Sequence, residues 1–313
     1  MIGGRGSVTG EVYWQNTASA CTTTTGSFAI PITGLPALKN LFLRFSFPIA
    51  IIACGKNPLG ATHMSLECYA LLRDAASWTL LSAGTPLEVT NTNIVSFAYN
   101  SRVWIVDDSF PKVLDSLFRP TLFWDTAANP PVMTGNQTGG GGCATAVGDF
   151  GYLFGGAYSG FSAKRIYLKN LPMTVADPLS PKRQWETLAD VPNQPAQVNS
   201  CAPLPFNKNQ IMLELFHADT GITDTVVFDT FSNSYYPVGS SPDLTGSTLI
   251  QMCNNPNNLF AFPTGTGSRQ YNPAGPTIWT DSTAKTPLST TRVNSAVVLV
   301  TADFFAAFTC TGC

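Results

Sequence analysis

A short apolar run recurs along this chain about every fifty residues, and that period constrains the fold more than any other feature. The runs are Ile49–Ala53, Val103–Val106, Tyr152–Phe154, Ile211–Leu215, Leu259–Phe262 and Phe304–Phe308. Their starts lie 54, 49, 59, 48 and 45 residues apart. After most of them comes an aromatic strand, and then a second large residue beyond a tight turn. Tyr69 is followed by Trp78, Trp124 by Val132, Phe228 by Tyr236, and Tyr271 by Trp279. Those gaps are nine, eight, eight and eight residues. A fixed period of this length marks a repeat architecture, and four short strands per repeat mark a propeller.

The rest of the chain supports an all-β reading. The 26 Gly and 23 Pro interrupt every window in which a helical stripe of three turns would have to run. Short alternating runs dominate instead, at Val12–Trp14, Leu41–Phe47, Leu66–Leu72, Ile94–Ala98, Val226–Phe228 and Val297–Val300. The one helical turn expected is Pro111–Leu117, in an insertion after Asp107-Asp108.

The marks divide a single domain, residues 1–313, into six blades. Five are expected at about 38–86, 91–135, 142–191, 198–239 and 246–281. The sixth is shared by the two ends of the chain, 292–310 with 11–33. Its inner strands are Val297–Val300 and Phe304–Phe308, and its outer strands are Glu11–Trp14 and Phe28–Ile32. Pairing the termini in this way removes the exposed edges of an open sheet.

Composition narrows the function classes. Charged residues make up 12% of the chain, about half the usual share, and Thr, Asn, Ser, Gly and Pro replace them. Such a surface suits an extracellular, capsid or tightly assembled protein. A formal charge of −2 gives no long-range attraction for nucleic acid or an anionic membrane. The only adjacent basic pairs are Lys164-Arg165 and Lys182-Arg183. No apolar run is long enough to cross a bilayer as a helix, so membrane insertion is not expected. The opening Met1–Gly6 lacks the apolar stretch of a signal peptide.

Eight cysteines in a low-charge, Thr-rich chain point to disulfides. Cys54 and Cys68 fall on consecutive strands of one hairpin and are expected to pair. Cys21 is expected to pair with Cys310 or Cys313 across the ring closure. Cys143, Cys201 and Cys253 come shortly before the second strands of their blades, and read as small buried residues of the innermost strands. No metal site is expected, because only Cys310-Thr311-Gly312-Cys313 has ligand spacing and its second half is missing.

One blade carries a more specific pattern. Tyr152-Leu153-Phe154-Gly155-Gly156, then Tyr167, then Trp185 resembles a kelch repeat, with a Gly pair after the second strand, a Tyr on the third and a Trp leading the fourth. Looser likenesses occur at Tyr69/Trp78, Phe228/Tyr236 and Tyr271/Trp279. Elsewhere the Gly pair is replaced, by Gly55-Lys56, Asp107-Asp108, Phe216-His217 and Pro263-Thr264. The chain thus resembles a divergent kelch-type propeller, the fold of the galactose-oxidase group. The copper site of that group needs two His, two Tyr and a cross-linked Cys. This chain has only His63 and His217, in non-adjacent blades, so no copper or other cofactor is expected.

Other chemistry finds few candidates. The segment Asn272–Trp279 lacks the Asp of the sialidase blade turn, and no Gly-x-Ser-x-Gly occurs. A glycosidase acid pair would have to come from Asp107 or Asp108 with Glu214. His217 with Asp219 is a candidate base and orienter, and Asp219–Asp224 a candidate oxygen-ligand loop that reads better as a turn between strands. Asn136-Gln137-Thr138 is the one glycosylation sequon. Together these features point to a non-enzymatic interaction or assembly module, extracellular or on the surface of an assembly, with protein partners or copies of itself. The alternative is a carbohydrate-binding or carbohydrate-active propeller, a lectin or a glycosidase, for which glycans are the partner.

Overall fold

The computed structural model describes residues 2–3, 9–15, 25–29, 34–35, 39–46, 50–56, 65–72, 75–80, 87–88, 95–99, 102–106, 111–115, 123–126, 142–155, 162–168, 186–192, 197–204, 207, 209–217, 219–240, 248–251, 259–262, 269–271 and 279–281. Among these, every regular element is a β-strand and every pairing is antiparallel. An N-terminal sheet contains β1 (Ile2–Gly3), β2 (Thr9–Gln15) and β3 (Thr25–Ala29), with β2 in the middle. Sheet I follows, with β4 (Lys39–Ser46), β5 (Ala50–Lys56) and β6 (Ser65–Leu72). Its outer side is made by two short pieces, β7 (Thr79–Leu80) and β8 (Leu87–Glu88), which both pair with β6.

Four meanders of four strands come next. Sheet II is β9 (Val95–Tyr99), β10 (Arg102–Val106), β11 (Pro111–Asp115) and β12 (Phe123–Thr126). Sheet III is β13 (Cys143–Val147), β14 (Phe150–Phe154), β15 (Ser162–Tyr167) and β16 (Glu186–Asp190). Sheet IV is β17 (Gln197–Pro203), β18 (Gln210–His217), β19 (Ile222–Asp229) and β20 (Ser234–Ser240). Sheet V is β21 (Thr248–Gln251), β22 (Leu259–Phe262), β23 (Arg269–Tyr271) and β24 (Trp279–Asp281). The first strands of successive sheets are neighbours: β4 lies beside β9, β9 beside β13, β13 beside β17, and β17 beside β21. Repeated meanders joined through their first strands are the arrangement of propeller blades.

Burial follows from that arrangement. A strand between two sheets has both faces covered, so its sequence reads as a continuous apolar run rather than an alternation. β18 is the clearest case, with Ile211 to Leu215 all buried. Ile211, Leu213 and Leu215 join Val226, Phe228, Tyr152, Phe154 and Val198 in the seam between sheets III and IV. Met212 points the other way, with Val227, Ala202 and Leu204, against Leu259, Ala261 and Tyr271 of sheet V. Aromatic contacts reinforce both seams. Phe154 meets Phe228 edge-on at 5.3 Å between centroids, and Tyr271 lies 5.5 Å from its cross-strand partner Trp279. Each such pair adds about 1 kcal/mol beyond the area it buries.

Part of the segment from Tyr152 to Trp185 is described. Phe154 ends β14, and Gly155 follows with φ 87°, a left-handed conformation that favours glycine. Tyr167 ends the third strand of the sheet, while Trp185 lies outside the described residues.

Three expectations need correction. Where a helical turn is expected at Pro111–Leu117, residues 111–115 form strand β11, paired with β10 on one side and β12 on the other, and residues 116–117 lie outside the described residues. Pro111 is the first residue of β11, where a strand tolerates the missing N–H. Trp124 therefore sits on the fourth strand of its sheet and not the third. In sheet IV the aromatic packed on Phe228 is Tyr235, 4.8 Å away between centroids, and Tyr236 faces solvent. The expected C-terminal strands lie outside the described residues, while β2 and β3 cover most of the expected N-terminal pair.

Candidate functional site

The cysteines divide into two bridges and a remainder. Cys54 and Cys68 are opposite each other in the β5–β6 register and form a disulfide, both buried. Cys143 and Cys201 form a second disulfide, across the seam between sheets III and IV, and this corrects the expectation of isolated buried thiols. First strands of adjacent sheets are close enough to bridge, with Cα atoms 5.8 Å apart. Cys21, Cys253, Cys310 and Cys313 lie outside the described residues, as do Asp107, Asp108 and the sequon residue Asn136.

The candidate acid Glu214 does not reach a surface. It sits in the middle of β18, fully buried, on the face turned towards sheet V. Thr225 is its cross-strand partner on β19 and Ser200 its partner on β17, both buried. Asn199 donates a long hydrogen bond, 3.5 Å, to Glu214 Oε1, and Trp279 Nε1 donates to Thr225 Oγ1 at 3.5 Å. These groups form a polar stripe inside a seam, which satisfies a buried carboxyl without presenting it to a substrate.

His217 lies three residues further on and on the opposite face of the sheet. Its carboxylate neighbour is Asp224, with Nε2 3.2 Å from Oδ2 but out of line for a hydrogen bond. The expected partner Asp219 lies instead in the exposed turn Asp219–Gly221. That segment is a hairpin connection closed by the Gly221 N–H on the His217 carbonyl at 2.8 Å. Neither His217 nor Glu214 therefore joins the other in one site. Arg165 is also committed locally: it pairs with Glu186 at 2.6 Å and lies 5.1 Å from the Phe150 ring centre.

A different place on sheet IV presents chemistry outward. β19 and β20 are joined by a four-residue turn, Thr230–Asn233, between the paired ends Asp229 and Ser234. The turn is locked at both ends. Asp229 Oδ1 accepts the backbone N–H of Phe231 at 3.0 Å and of Ser232 at 2.9 Å. The Ser232 N–H is the largest of several hydrogen bonds that hold the Asp229 carboxyl below its usual pKa. Asn233 occupies the left-handed region, φ 52°, and its Oδ1 accepts the N–H of Ala189 in sheet III at 2.9 Å. Tyr235 donates to the Ala189 carbonyl at 3.2 Å, so the turn is pinned to its neighbour through both backbone groups of one residue.

This fixed turn projects Phe231 into solvent with 91% of its surface exposed, the most exposed of the large apolar side chains described. In the same turn and the strand that follows it, Ser232, Ser234 and Tyr236 bring three hydroxyls together. Ser232 and Ser234 are 2.6 Å apart, Ser234 donates to Tyr236 at 3.1 Å, and Ser232 lies 3.3 Å from the same phenol oxygen. Hydrogen bonding by Ser232 and then Ser234 lowers the Tyr236 pKa. From sequence alone Phe231 is hidden, because an aromatic among strand aromatics looks like core. The available signal was Asp229-Thr230-Phe231-Ser232-Asn233-Ser234, a run of turn formers with one large apolar residue inside it.

No family model matches the chain, and no curated protein matches it either. Solved structures similar to it include hydrazine synthase of Kuenenia stuttgartiensis, with a TM-score of 0.46 and 8% identity over 80% of this chain and 63% of that one. TolB of Acinetobacter baumannii gives 0.45 and 8%, over 80% and 55%. A post-proline cleaving enzyme of Rickettsia typhi gives 0.38 and 12%, over 81% and 38%. The chain thus spans less than two thirds of the length of each.

Proposed function

We propose that this chain is a non-enzymatic interaction and assembly module. It is built as a six-bladed, kelch-like propeller closed by strands from both termini, and works outside the reducing cytosol, at a cell or particle surface. The observation that carries the reading is Phe231: a large apolar side chain held in solvent by a turn that spends two side chains and a neighbouring sheet on its position. Fixed presentation of an aromatic lowers the entropy lost on binding, which is how anchor residues of interfaces work. Two disulfides fit an oxidising compartment. The enclosure of Glu214 in a seam speaks against its use as an acid towards a glycoside.

Light scattering and electron microscopy of the oxidised protein test the proposal, comparing the native chain with Phe231→Ala. The expected result is a native assembly, or a captured partner, that the substitution weakens while the melting curve stays the same. Identical behaviour of the two proteins sinks the proposal. No turnover of simple glycosides, esters or primary alcohols is expected, with or without added copper. Glycosidase activity that Glu214→Gln abolishes in a folded protein would overturn the non-enzymatic reading.

A further inference from the structure

We propose that the β19–β20 turn is a binding site for neutral saccharides, with Phe231 as the stacking platform and the Ser232, Ser234 and Tyr236 hydroxyls as the polar contacts. The inference rests on the interaction reading above and names the ligand class of the same surface.

A sugar ring has two chemically distinct parts. One face is a patch of C–H groups, and the rim carries hydroxyls that both donate and accept. A site for it needs an aromatic face, whose negative quadrupole attracts the C–H patch, beside groups that exchange hydrogen bonds with the rim. The turn supplies both within one short segment. Phe231 is almost fully exposed and Tyr236 is half exposed. Ser234 and Tyr236 are two residues apart on β20 and share one face of the strand, and Ser232 joins them from the turn.

The hydroxyl count shows what remains for a ligand. Ser234 donates its single proton to Tyr236, and the Ser232 hydroxyl lies within reach of Ser234, Tyr236 and the Asp229 carboxylate. Both serine donors are thus spent within the turn and its flanking strands. The Tyr236 proton then goes either to Ser232 at 3.3 Å or outward to a ligand. Each oxygen has two acceptor positions, so acceptor capacity is left over on all three. A sugar hydroxyl that donates to the cluster and accepts from Tyr236 satisfies it.

Charge decides between neutral and ionic ligands. The Asp229 carboxylate is occupied by two backbone N–H groups, by Gln210 Nε2 at 3.3 Å and by the Ser232 hydroxyl. No Lys or Arg occurs between Asp219 and Ser240, and Arg165, linked to Thr230 of the turn through Tyr152, is already paired with Glu186, which disfavours a sulfate or sialic acid. The site is also preorganised. Asp229 and Asn233 fix the turn before any ligand arrives, and the neighbouring sheet holds Asn233 in place.

The test uses the oxidised full chain on a panel of neutral oligosaccharides, based on glucose, mannose, galactose and N-acetylglucosamine, beside sialylated and sulfated counterparts. Calorimetry then measures the strongest binder against variants. Binding of a neutral member is expected, with no gain from sulfate. Phe231→Ala is expected to weaken it about tenfold, a difference of about 1.4 kcal/mol. Tyr236→Phe and the pair Ser232→Ala with Ser234→Ala are expected to weaken it as well, while far-UV spectra and melting curves stay native. Absence of binding to every neutral member overturns the inference, and so does binding that Phe231→Ala leaves unchanged. Light scattering and partner capture on the same variants separate the two readings. If Phe231→Ala abolishes assembly or capture of a protein while no saccharide binds, the surface serves a protein partner and the saccharide inference falls alone. If the substitution alters nothing, both fall.

Discussion

Cys143 and Cys201 stand on neighbouring first strands, Cα atoms 5.8 Å apart, and their bond ties sheet III to sheet IV at the seam's inner edge. The two halves lie 58 residues apart in sequence, whereas Cys54 and Cys68 are separated by 14 within one hairpin. The longer loop restrains the unfolded chain more. Loop-closure entropy puts the two contributions at about 4 and about 3 kcal/mol. Replacing both cysteines of a bridge by serine should therefore cost more stability at Cys143/Cys201 than at Cys54/Cys68. Urea midpoints measure the difference, and non-reducing peptide mapping checks both pairings directly. Recovery of these four cysteines as free thiols would reject the bridges and the oxidising compartment with them.

Gly151 shows how closely sheets II and III approach. A methyl group at its Cα would lie 2.7 Å from Phe97 Cζ, 3.2 Å from Cε2 and 3.4 Å from Ile166 Cγ2. Phe97 is buried, so its ring would have to shift against its neighbours to admit the new group. Gly151→Val is expected to destabilise the fold by about 1–3 kcal/mol through overpacking. Shortening the opposing ring should relieve part of the loss, so Gly151→Ala with Phe97→Leu is expected to cost less than the sum of its parts. Strict additivity in a denaturant double-mutant cycle argues against the contact.

Much of the fold was legible because a propeller strand covered on both faces is apolar at nearly every position, Glu214 of β18 being the exception that a polar stripe accommodates. Ile211–Leu215 announced β18 in this way, and Tyr271 with Trp279 announced the outer pair of sheet V. Pro111–Leu117 misled because Pro followed by apolar residues three and four apart imitates a helix start. Val103 and Trp124, both of which pair with Leu114, are distant in sequence, and they decide the conformation. The Cys143–Cys201 bond was unreadable for a similar reason. Spacing alone does not reveal that first strands of successive sheets lie side by side. The exposed turn was harder still. Phe228, Phe231 and Tyr235 are chemically alike, and the turn that sets the middle one outward is held by local and tertiary hydrogen bonds, such as those of Asp229, Asn233 and the Thr230 N–H to the Asn209 carbonyl.

Alkaline pH should loosen the seam between sheets II and III. The Tyr99 hydroxyl donates to Asp149 Oδ1 at 3.0 Å. Burial, and after it the hydrogen bond and charge of Asp149, raise its pKa from 10.0 to about 12. The folded chain therefore holds this proton more tightly than the unfolded chain. The resulting stability is complete below a pH of about 10 and is lost as pH climbs through about 12. Burial moves Tyr235 in the same direction. Urea midpoints should fall across this window, and Tyr99→Phe should shrink the fall and remove a late phenol from the ultraviolet titration. A native midpoint that stays flat throughout contradicts the assignment.

The proposed ring closure predicts that the N-terminal strands are indispensable. β2 is the middle strand of its sheet, paired with β1 through Ile2 and Gly3 and with β3 from Glu11↔Ala29 to Gln15↔Thr25. Deleting residues 1–14 removes β1 and all of β2 except Gln15, and leaves β3 without a partner among the described strands. In a closed six-bladed ring the same deletion also bares the blade that residues 292–310 would complete, exposing a long apolar edge to other chains. The truncated protein is expected to aggregate on refolding. Val12→Pro provides a milder form of the test, since it puts a residue without an N–H in the middle of β2, opposite Phe28, while keeping the chain length. It should lower the melting temperature of the whole molecule if the N-terminal sheet is part of the ring. If the sheet were an independent appendage, the truncated chain would remain monomeric with the melting curve of the native protein, and closure by the two termini would be wrong.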